Sequence, residues 1–452
     1  MTARAHLVAL ALVVPALRLP AQGTSAYARV DSAVMEELRR THTPGAAVAL
    51  VSGDRIVYMQ GFGTRSADGT AAVTPETRFH IASVTKVFTA TTLATLAQQR
   101  RIDLDAPIGA RLAQLPDSLG AITAHQLLSH TAGFVMAPVT VGDSAPDGAL
   151  AQVVPRVSPR ARFTPAGEIF SYSNLGYQLA GRLIEVAGGR PYAEQVQQTL
   201  IAPLGLRATT FGPLPSEGDV AIGTVEPNAR PAGGSGAETW PFAGLSSNVS
   251  DLARFAIAFM NGGKVDGRQV IPREAIARVS APSSKFQSGE GDYGYGVRVY
   301  RHRGVDVVEH GGVAPDGYRS LLYMVPSRRV AVIVLANRAG RRPYVIADAA
   351  LDALLPGVVE PVTPAPVFVP MDSTEMARYV GRYAGGIVSA VTVDDGVLTL
   401  HQPTLTLPIR KLADGRFVAG SEETGGGWLA FVAGPDGSVR YLHYNMRAFR
   451  RI

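Results

Sequence analysis

The feature that most constrains this chain is a change of hydrophobic period along it. Strand-like sequence stands at both ends of the first 355 residues, and helix-like sequence fills the middle. Residues 45–63 give two β-rich runs about a Ser-Gly-Asp turn, which predicts a hairpin. Strand character returns at residues 295–300, 305–309, 318–324 and 330–335. Between these ends, residues 83–99 lack Gly and Pro and carry apolar residues at helical spacing, which predicts a buried helix. Further helices are expected over 125–129, 175–187, 192–200 and 250–260, the last with Ser250 as its N-cap. One sheet assembled from both ends, with a helical region inserted between them, satisfies both periods. The expected fold is therefore α/β (α+β): an antiparallel sheet sandwiched with helices, plus an all-helical subdomain. At 452 residues and 46% hydrophobic content, the chain is long and apolar enough to bury a sizeable core.

Five prolines between Leu355 and Asp372 mark a semi-rigid linker. Beyond it, period-2 runs are broken by Asp395-Gly396, Asp414-Gly415 and Asp436-Gly437, each a hairpin turn signal. A small antiparallel barrel is expected there. At the other end, Met1–Gln22 combines Arg4, an apolar run from Leu7 to Leu17 and the small Ala21, the layout of a cleavable signal peptide. The expected division is a signal peptide (1–22), a main domain (23–355), a linker (356–372) and a barrel-like domain (373–452), with a periplasmic or secreted location. No later stretch offers the roughly 20 uninterrupted apolar residues of a spanning helix.

The chain contains no cysteine, which excludes disulfides, thiol catalysis and thiolate-bound zinc. Only four of its 43 basic residues are lysines, and the arginines are scattered. A nucleic-acid partner would require a clustered basic stripe. His125 and His130 are five apart, off a common helical face, and no His-Glu-x-x-His occurs, so no metal site is expected. Gly-x-Ser-x-Gly and P-loop motifs are also missing, which counts against an α/β-hydrolase and a nucleotide enzyme.

Three short motifs carry chemistry. Ser83 and Lys86 stand three apart at the start of the apolar helix, so they share a face. A serine hydroxyl needs a base to take its proton, and a lysine with a lowered pKa can serve. Ser-x-x-Lys alone fits a capping Ser beside a snorkelling Lys equally well. The second motif, Tyr172-Ser173-Asn174, offers a phenol to relay a proton and an amide to hold a substrate, although an ordinary loop before a helix reads the same way. The third, Glu309-His310-Gly311-Gly312-Val313, lies between two predicted strands. Its glycines allow a substrate backbone to approach, and a backbone N–H near Val313 can pair with that of Ser83 as an oxyanion hole. His-x-Gly is unspecific, since His302-Arg303-Gly304 fits it too. Glu168 offers itself as an alternative deacylating base, but an acid in a helix's first turn explains it as well.

Taken in order, Ser-x-x-Lys, Tyr-x-Asn and His-x-Gly resemble the penicillin-recognising serine hydrolases: class C β-lactamases, D,D-carboxypeptidases, D-aminopeptidases and related carboxylesterases. Flanking stretches agree, among them Leu127-Leu128-Ser129-His130-Thr131-Ala132-Gly133-Phe134 and Gly244-Leu245-Ser246-Ser247. The resemblance covers roughly residues 30 to 350. It implies a β-lactamase/transpeptidase-like fold and acylation of Ser83, with Lys86 and Tyr172 sharing base and acid work in an order left open. It further implies that Asn174, His310, Gly311, Gly312 and Val313 contact the substrate, with no cofactor and no metal. The departure is His310, where typical class C β-lactamases carry Lys. An imidazole near pH 7 is mostly neutral and suits a penicillin carboxylate less well than an ammonium does. Histidine here resembles the peptidase and esterase branches. The leading expectation is acyl transfer from a small peptide, ester or lactam to water, ahead of a class C-like β-lactamase. A catalytically silent binder of peptidoglycan or β-lactams is the reading from another class.

Overall fold

The two ends of the main domain meet in one sheet. In the computed structural model, strand β1 (Gly45–Ser52) pairs antiparallel with β8 (Val330–Ala336), from Ala46 opposite Ala336 to Ser52 opposite Val330. The structure describes residues 24–142, 146–225, 236–289, 291–338, 343–358, 366–421 and 426–452. The expected signal peptide and residues 359–365 of the expected linker lie outside the described residues. The remaining strands are β2 (Arg55–Gly63), β3 (Ser284–Lys285), β4 (Asp292–Tyr293), β5 (Arg298–His302), β6 (Val305–Ala314) and β7 (Tyr318–Val325). The sheet order is β2-β1-β8-β7-β6-β5-β4-β3.

Its central strands are apolar on both faces, so both faces must be covered. Ala47, Ala49, Val51, Ala331, Ile333 and Leu335 point into the helical side. Their neighbours Ala46, Val48, Leu50, Val330, Val332 and Val334 point the other way, onto helices α1 (Thr24–Thr41) and α5 (Pro343–Leu354). The sequence patterns above predicted neither of these two covering helices.

On the helical side, α2 (Thr85–Gln98) is buried at every residue from Thr85 to Leu96. Two of its threonines bond back into the helix: Thr91 Oγ1 donates to the Val87 carbonyl at 2.7 Å and Thr89 Oγ1 to the Thr85 carbonyl at 3.3 Å. Around it pack α3 (Asn174–Gly188) and α4 (Val249–Met260). Some expected boundaries shift. The N-cap of α4 is Asn248, which accepts from the Asp251 N–H at 2.9 Å, while Ser250 Oγ donates to Glu76. The run expected as one helix from Tyr192 breaks into Tyr192–Val196, a wider π turn at Gln197–Ile201, and Ala202–Leu204. Tyr295 is fully buried outside the strands, and β5 starts at Arg298 instead.

The C-terminal strands are β9 (Gly381–Ala384), β10 (Val388–Asp394), β11 (Val397–Gln402), β12 (Leu405–Leu412), β13 (Phe417–Ala419), β14 (Gly427–Ala433), β15 (Val439–Tyr444) and β16 (Arg447–Arg451). They pair in the order β12-β11-β10-β9-β16-β15-β14-β13, and β13 returns to β12, which closes an eight-stranded barrel. Closure leaves no sheet edge in need of protection. Asp395 and Gly396 take φ 49° and 78°, as a tight primed turn between β10 and β11 requires. Inward residues such as Tyr383, Leu400, Leu407, Leu429 and Phe449 form a separate core.

This barrel packs directly on the segment before α3. Ile169 packs with Tyr441 and Ala448, Arg440 pairs with Glu168, and Thr164 bonds to the Tyr441 hydroxyl. The carboxylate of Glu168 is thus engaged by the barrel, which accounts for it without a role in deacylation.

Candidate active site

Ser83 lies in a 3-10 turn, Ala82–Val84, immediately before α2 begins at Thr85, and so outside the helix expected to contain it. Ala82 is held at φ 45°, a left-handed conformation costly for a residue with a Cβ. Two contacts to Ile81 fix the turn: its N–H donates to the Leu245 carbonyl at 3.0 Å, and its carbonyl accepts from Ser320 Oγ at 2.7 Å. Gly312 of β6 comes up against the same turn. A Cβ on it would stand 2.5 Å from the Ile81 carbonyl oxygen and 2.2 Å from Ser320 Oγ.

Lys86 follows one residue into the helix and is fully buried. Its Nζ donates to Ser83 Oγ at 3.2 Å and to the Phe242 carbonyl at 3.1 Å. The rings of Tyr172, Phe242 and Tyr177 lie 4.8, 5.3 and 5.5 Å from it. Ring faces favour an ammonium modestly, but burial opposes it more strongly and holds the amine well below the ordinary lysine range. A neutral amine facing a serine hydroxyl can accept its proton.

Tyr172 sits just ahead of α3, whose N-cap Ser173 accepts from the Gly176 N–H at 3.3 Å. The phenol comes close enough to interact with the Ser83 hydroxyl. Burial raises the phenol's pKa, and the contacts with Ser83 and then Arg447 partly offset this. It therefore stays protonated at neutral pH and can donate. Asn174 opens α3; its N–H donates to the Met136 carbonyl at 3.1 Å, and its Oδ1 is a buried atom without a partner among the described residues. A buried amide oxygen left unpaired is available to a substrate N–H or an ammonium.

The motif expected between two strands lies within one. Strand β6 continues through His310, Gly311, Gly312 and Val313 to Ala314 because its pairing with β7 persists to Ala314 opposite Tyr318. Its pairing with β5 ends earlier, at Glu309 opposite Arg298. Beyond Glu309 that edge of β6 has no strand neighbour among the described residues, and Val313 is 53% exposed. An extended substrate can add to such an edge.

His310 is buried, with Nδ1 2.7 Å from the Gly311 carbonyl and Nε2 3.0 Å from the Tyr293 hydroxyl. A carbonyl only accepts, so Nδ1 carries the proton and Nε2 receives one from Tyr293. Burial first, and then the repulsion that a protonated Lys86 would exert, push this imidazole down to about 3. His310 is neutral, as the sequence suggested, and the cause is its surroundings. His302 is placed elsewhere, against Asp348 at 2.8 Å.

The structure thus brings Ser83, Lys86, Tyr172, Asn174 and the 310–313 strand into one site. It adds residues that the motifs did not single out for chemistry. His130 lies between the rings of Tyr172, Tyr293 and Tyr177, at 4.3, 4.9 and 5.1 Å. From the barrel, the Met446 carbonyl accepts the Tyr172 N–H at 2.9 Å. His130 belongs to a quoted flanking stretch, whereas nothing near Met446 in sequence signals this contact. A cleft of about 240 Å³ beside Met446 is lined by Phe286, Arg298 and Trp428. A larger concavity of about 620 Å³, around Asp54, Arg254 and Arg273, contains none of these site residues.

Comparison with known proteins places the chain in a family and a fold. The family described as Beta-lactamase matches residues 30–356. A D-aminopeptidase of Gluconobacter oxydans is 29% identical over 319 residues, which cover 69% of this chain and 59% of that protein. The match thus spans under two thirds of that relative's length. The crystal structure of SurE with D-Leu superposes with TM-score 0.76 at 27% identity, covering 95% of this chain and 100% of that one. A class C β-lactamase from Rhodobacter sphaeroides gives TM-score 0.60 at 21% identity over 73% of this chain and 98% of that one, a likeness of fold.

Proposed function

Since the chain belongs to the Beta-lactamase family, we propose that it is a serine hydrolase working through an acyl-enzyme on small peptide or ester substrates. The observation that carries this reading is the 3.2 Å approach of a fully buried Lys86 Nζ to Ser83 Oγ. In this reading Ser83 Oγ attacks the substrate carbonyl carbon while its proton passes to Lys86. The backbone N–H groups of Ser83 and Val313 receive the oxyanion. The bond to the leaving group breaks, and that group takes a proton through Tyr172. Water then attacks the ester and releases the acid, its second proton restoring Ser83. Asn174 and the free edge of β6 hold the substrate.

A peptidase or esterase is favoured over a β-lactamase because His310 is a buried neutral imidazole where a penicillin carboxylate wants a cation. The likeness to a D-aminopeptidase and to a protein crystallised with D-Leu supports acyl groups of D configuration. The Arg4, Leu7–Leu17 and Ala21 pattern supports export to the periplasm or beyond. We also take 23–355 as the hydrolase domain and 373–452 as an appended one.

The test is intact-protein mass spectrometry after exposure to a fluorophosphonate and, separately, to a penicillin. A fluorophosphonate adduct on wild type and none on Ser83→Ala is the expected outcome. A penicillin adduct that forms and turns over rapidly supports the β-lactamase instead. A folded wild-type protein that gains mass from neither reagent returns the silent-binder reading to the lead.

A further inference from the structure

Building on the acyl-transfer reading above, we infer that the C-terminal barrel completes the site with a carboxylate-binding residue. Arg447 receives a carboxylate carried by the substrate's leaving group. The turn between β15 and β16 puts two residues, Asn445 and Met446, at φ 50° and 64°, and so projects a tight hairpin tip. That tip is tied down on both sides of Arg447. The Met446 carbonyl accepts from the Tyr172 N–H at 2.9 Å, and the Ala448 N–H donates to Ser171 Oγ at 3.3 Å. Arg447 is thereby held beside Tyr172, close enough for its charge to act on the phenol. Its side chain is half-buried, partly stripped of water, and makes no hydrogen bond or ion pair among the described residues.

A partly dehydrated guanidinium without a counter-ion is costly unless something arrives to pair with it. The other arginine near the site, Arg298, is already bound to the buried Glu309 at 3.1 Å. His310 is neutral, so it cannot take an anion's charge. Arg447 is then the permanent cation left over, and its planar fork matches a carboxylate in two parallel hydrogen bonds. Its position fixes which part of the substrate it meets. Tyr172 serves the departing group, so a carboxylate reached from Tyr172's side belongs to that group and not to the acyl portion.

Two thioesters of benzoylglycine test this, one releasing thioglycolate and the other the neutral thioglycolamide. In each, the Ser83 Oγ–carbon bond forms, the carbon–sulfur bond breaks and the thiol leaves with one proton. The expected result is a kcat/KM preference of the full-length wild type for the thioglycolate ester of about tenfold or more, chiefly in KM. Arg447→Gln should bring the ratio near one, and Arg447→Lys should restore part of it. A wild type without preference overturns the subsite, and this outcome needs no variant to fold. A ratio that Arg447→Gln leaves unchanged also overturns it, as does a variant that lowers both rates equally, which marks a structural hairpin only. If neither ester reacts and fluorophosphonate does not modify Ser83, the acyl-transfer reading itself falls and takes the subsite with it.

Discussion

The imidazole of His130 lies against the phenol of Tyr172, ring centroids 4.3 Å apart, while its Nδ1 accepts the N–H of Ser173 at 3.0 Å. Its own carbonyl accepts the N–H of Ser171 at 2.8 Å. One buried residue, itself at φ 58°, thus brackets Tyr172 from both neighbours. Since Nδ1 accepts, the proton is on Nε2, which has no partner among the described residues. His130→Phe keeps a ring but orphans the Ser173 N–H. We expect kcat to fall about tenfold or more with KM little changed, because a small misplacement of a reacting group is expensive. His130→Ala should also lower stability by about 2–4 kcal/mol in denaturant melts.

Lys86 gives a prediction with a definite sign. Burial lowers its native pKa, so between that value and the ordinary lysine value of 10.5 the unfolded chain carries a proton that the folded chain lacks. Stability therefore rises with pH across this window, and Lys86→Met should remove the rise. Acylation should increase with pH as the amine loses its proton. Lys86→Arg, permanently charged, should slow Ser83 labelling by fluorophosphonate about 10²–10⁴-fold. Equal labelling rates in Lys86→Arg and wild type would rule out the lysine as base.

Much of this site was legible from sequence because its residues are fixed by local elements. Ser83 and Lys86 share a turn and the start of a helix, and Asn174 opens another. The sequence places His310 between two strands, and Gly311 and Gly312 after it carry no side chain to show a strand's alternation. What keeps that stretch in the sheet is pairing with β7 and the approach of the Ser83 turn, neither of which is local. The preference for Ser250 as a cap failed for a related reason: Asn248 fits the same role, and only the position of Glu76 decides which hydroxyl or amide goes where. Helices α1 and α5 went unseen although they cover a whole face of the sheet. The Met446 contact could not be read at all, since Asn445-Met446 is a weak turn signal and its partner lies more than 250 residues away.

Gly312 is where strand β6 passes closest to the Ser83 turn. In Gly312→Ala the new methyl would meet the Ile81 carbonyl at 2.5 Å and the Ser320 hydroxyl at 2.2 Å, so strand and turn must part. The change should cost activity more than fold: a loss of about 10²-fold in kcat/KM is expected from a displacement near 1 Å. A thermal melt close to wild type together with that loss is the outcome to look for. Full activity in Gly312→Ala would mean the strand does not form part of the oxyanion site.

Acid should loosen the contact between the barrel and the domain it packs on. His443 on β15 is buried against Phe170, with Nδ1 3.1 Å from Ser288 Oγ, and burial pushes it down to about 4 from 6.5. Around it lie the aromatic rings of Phe170 and its neighbours, and no carboxylate contributes to its shift. Between pH 4 and 6.5 the unfolded chain binds a proton on this imidazole that the folded chain refuses, so stability falls as pH drops through that window. The loss is about 1.4 kcal/mol for each pH unit below 6.5. His310 responds in the same direction, its native value of about 3 lying still lower. His443→Gln removes one of the contributions of this sign, and those of His125, His130 and His310, whose imidazoles burial also lowers, remain. Melting temperatures measured from pH 7 to 4.5 should fall less steeply in this variant than in wild type. Parallel curves would mean that His443 becomes protonated without opening the interface, and the barrel would then be held by its other contacts, Tyr441 with Thr164 and Arg440 with Glu168.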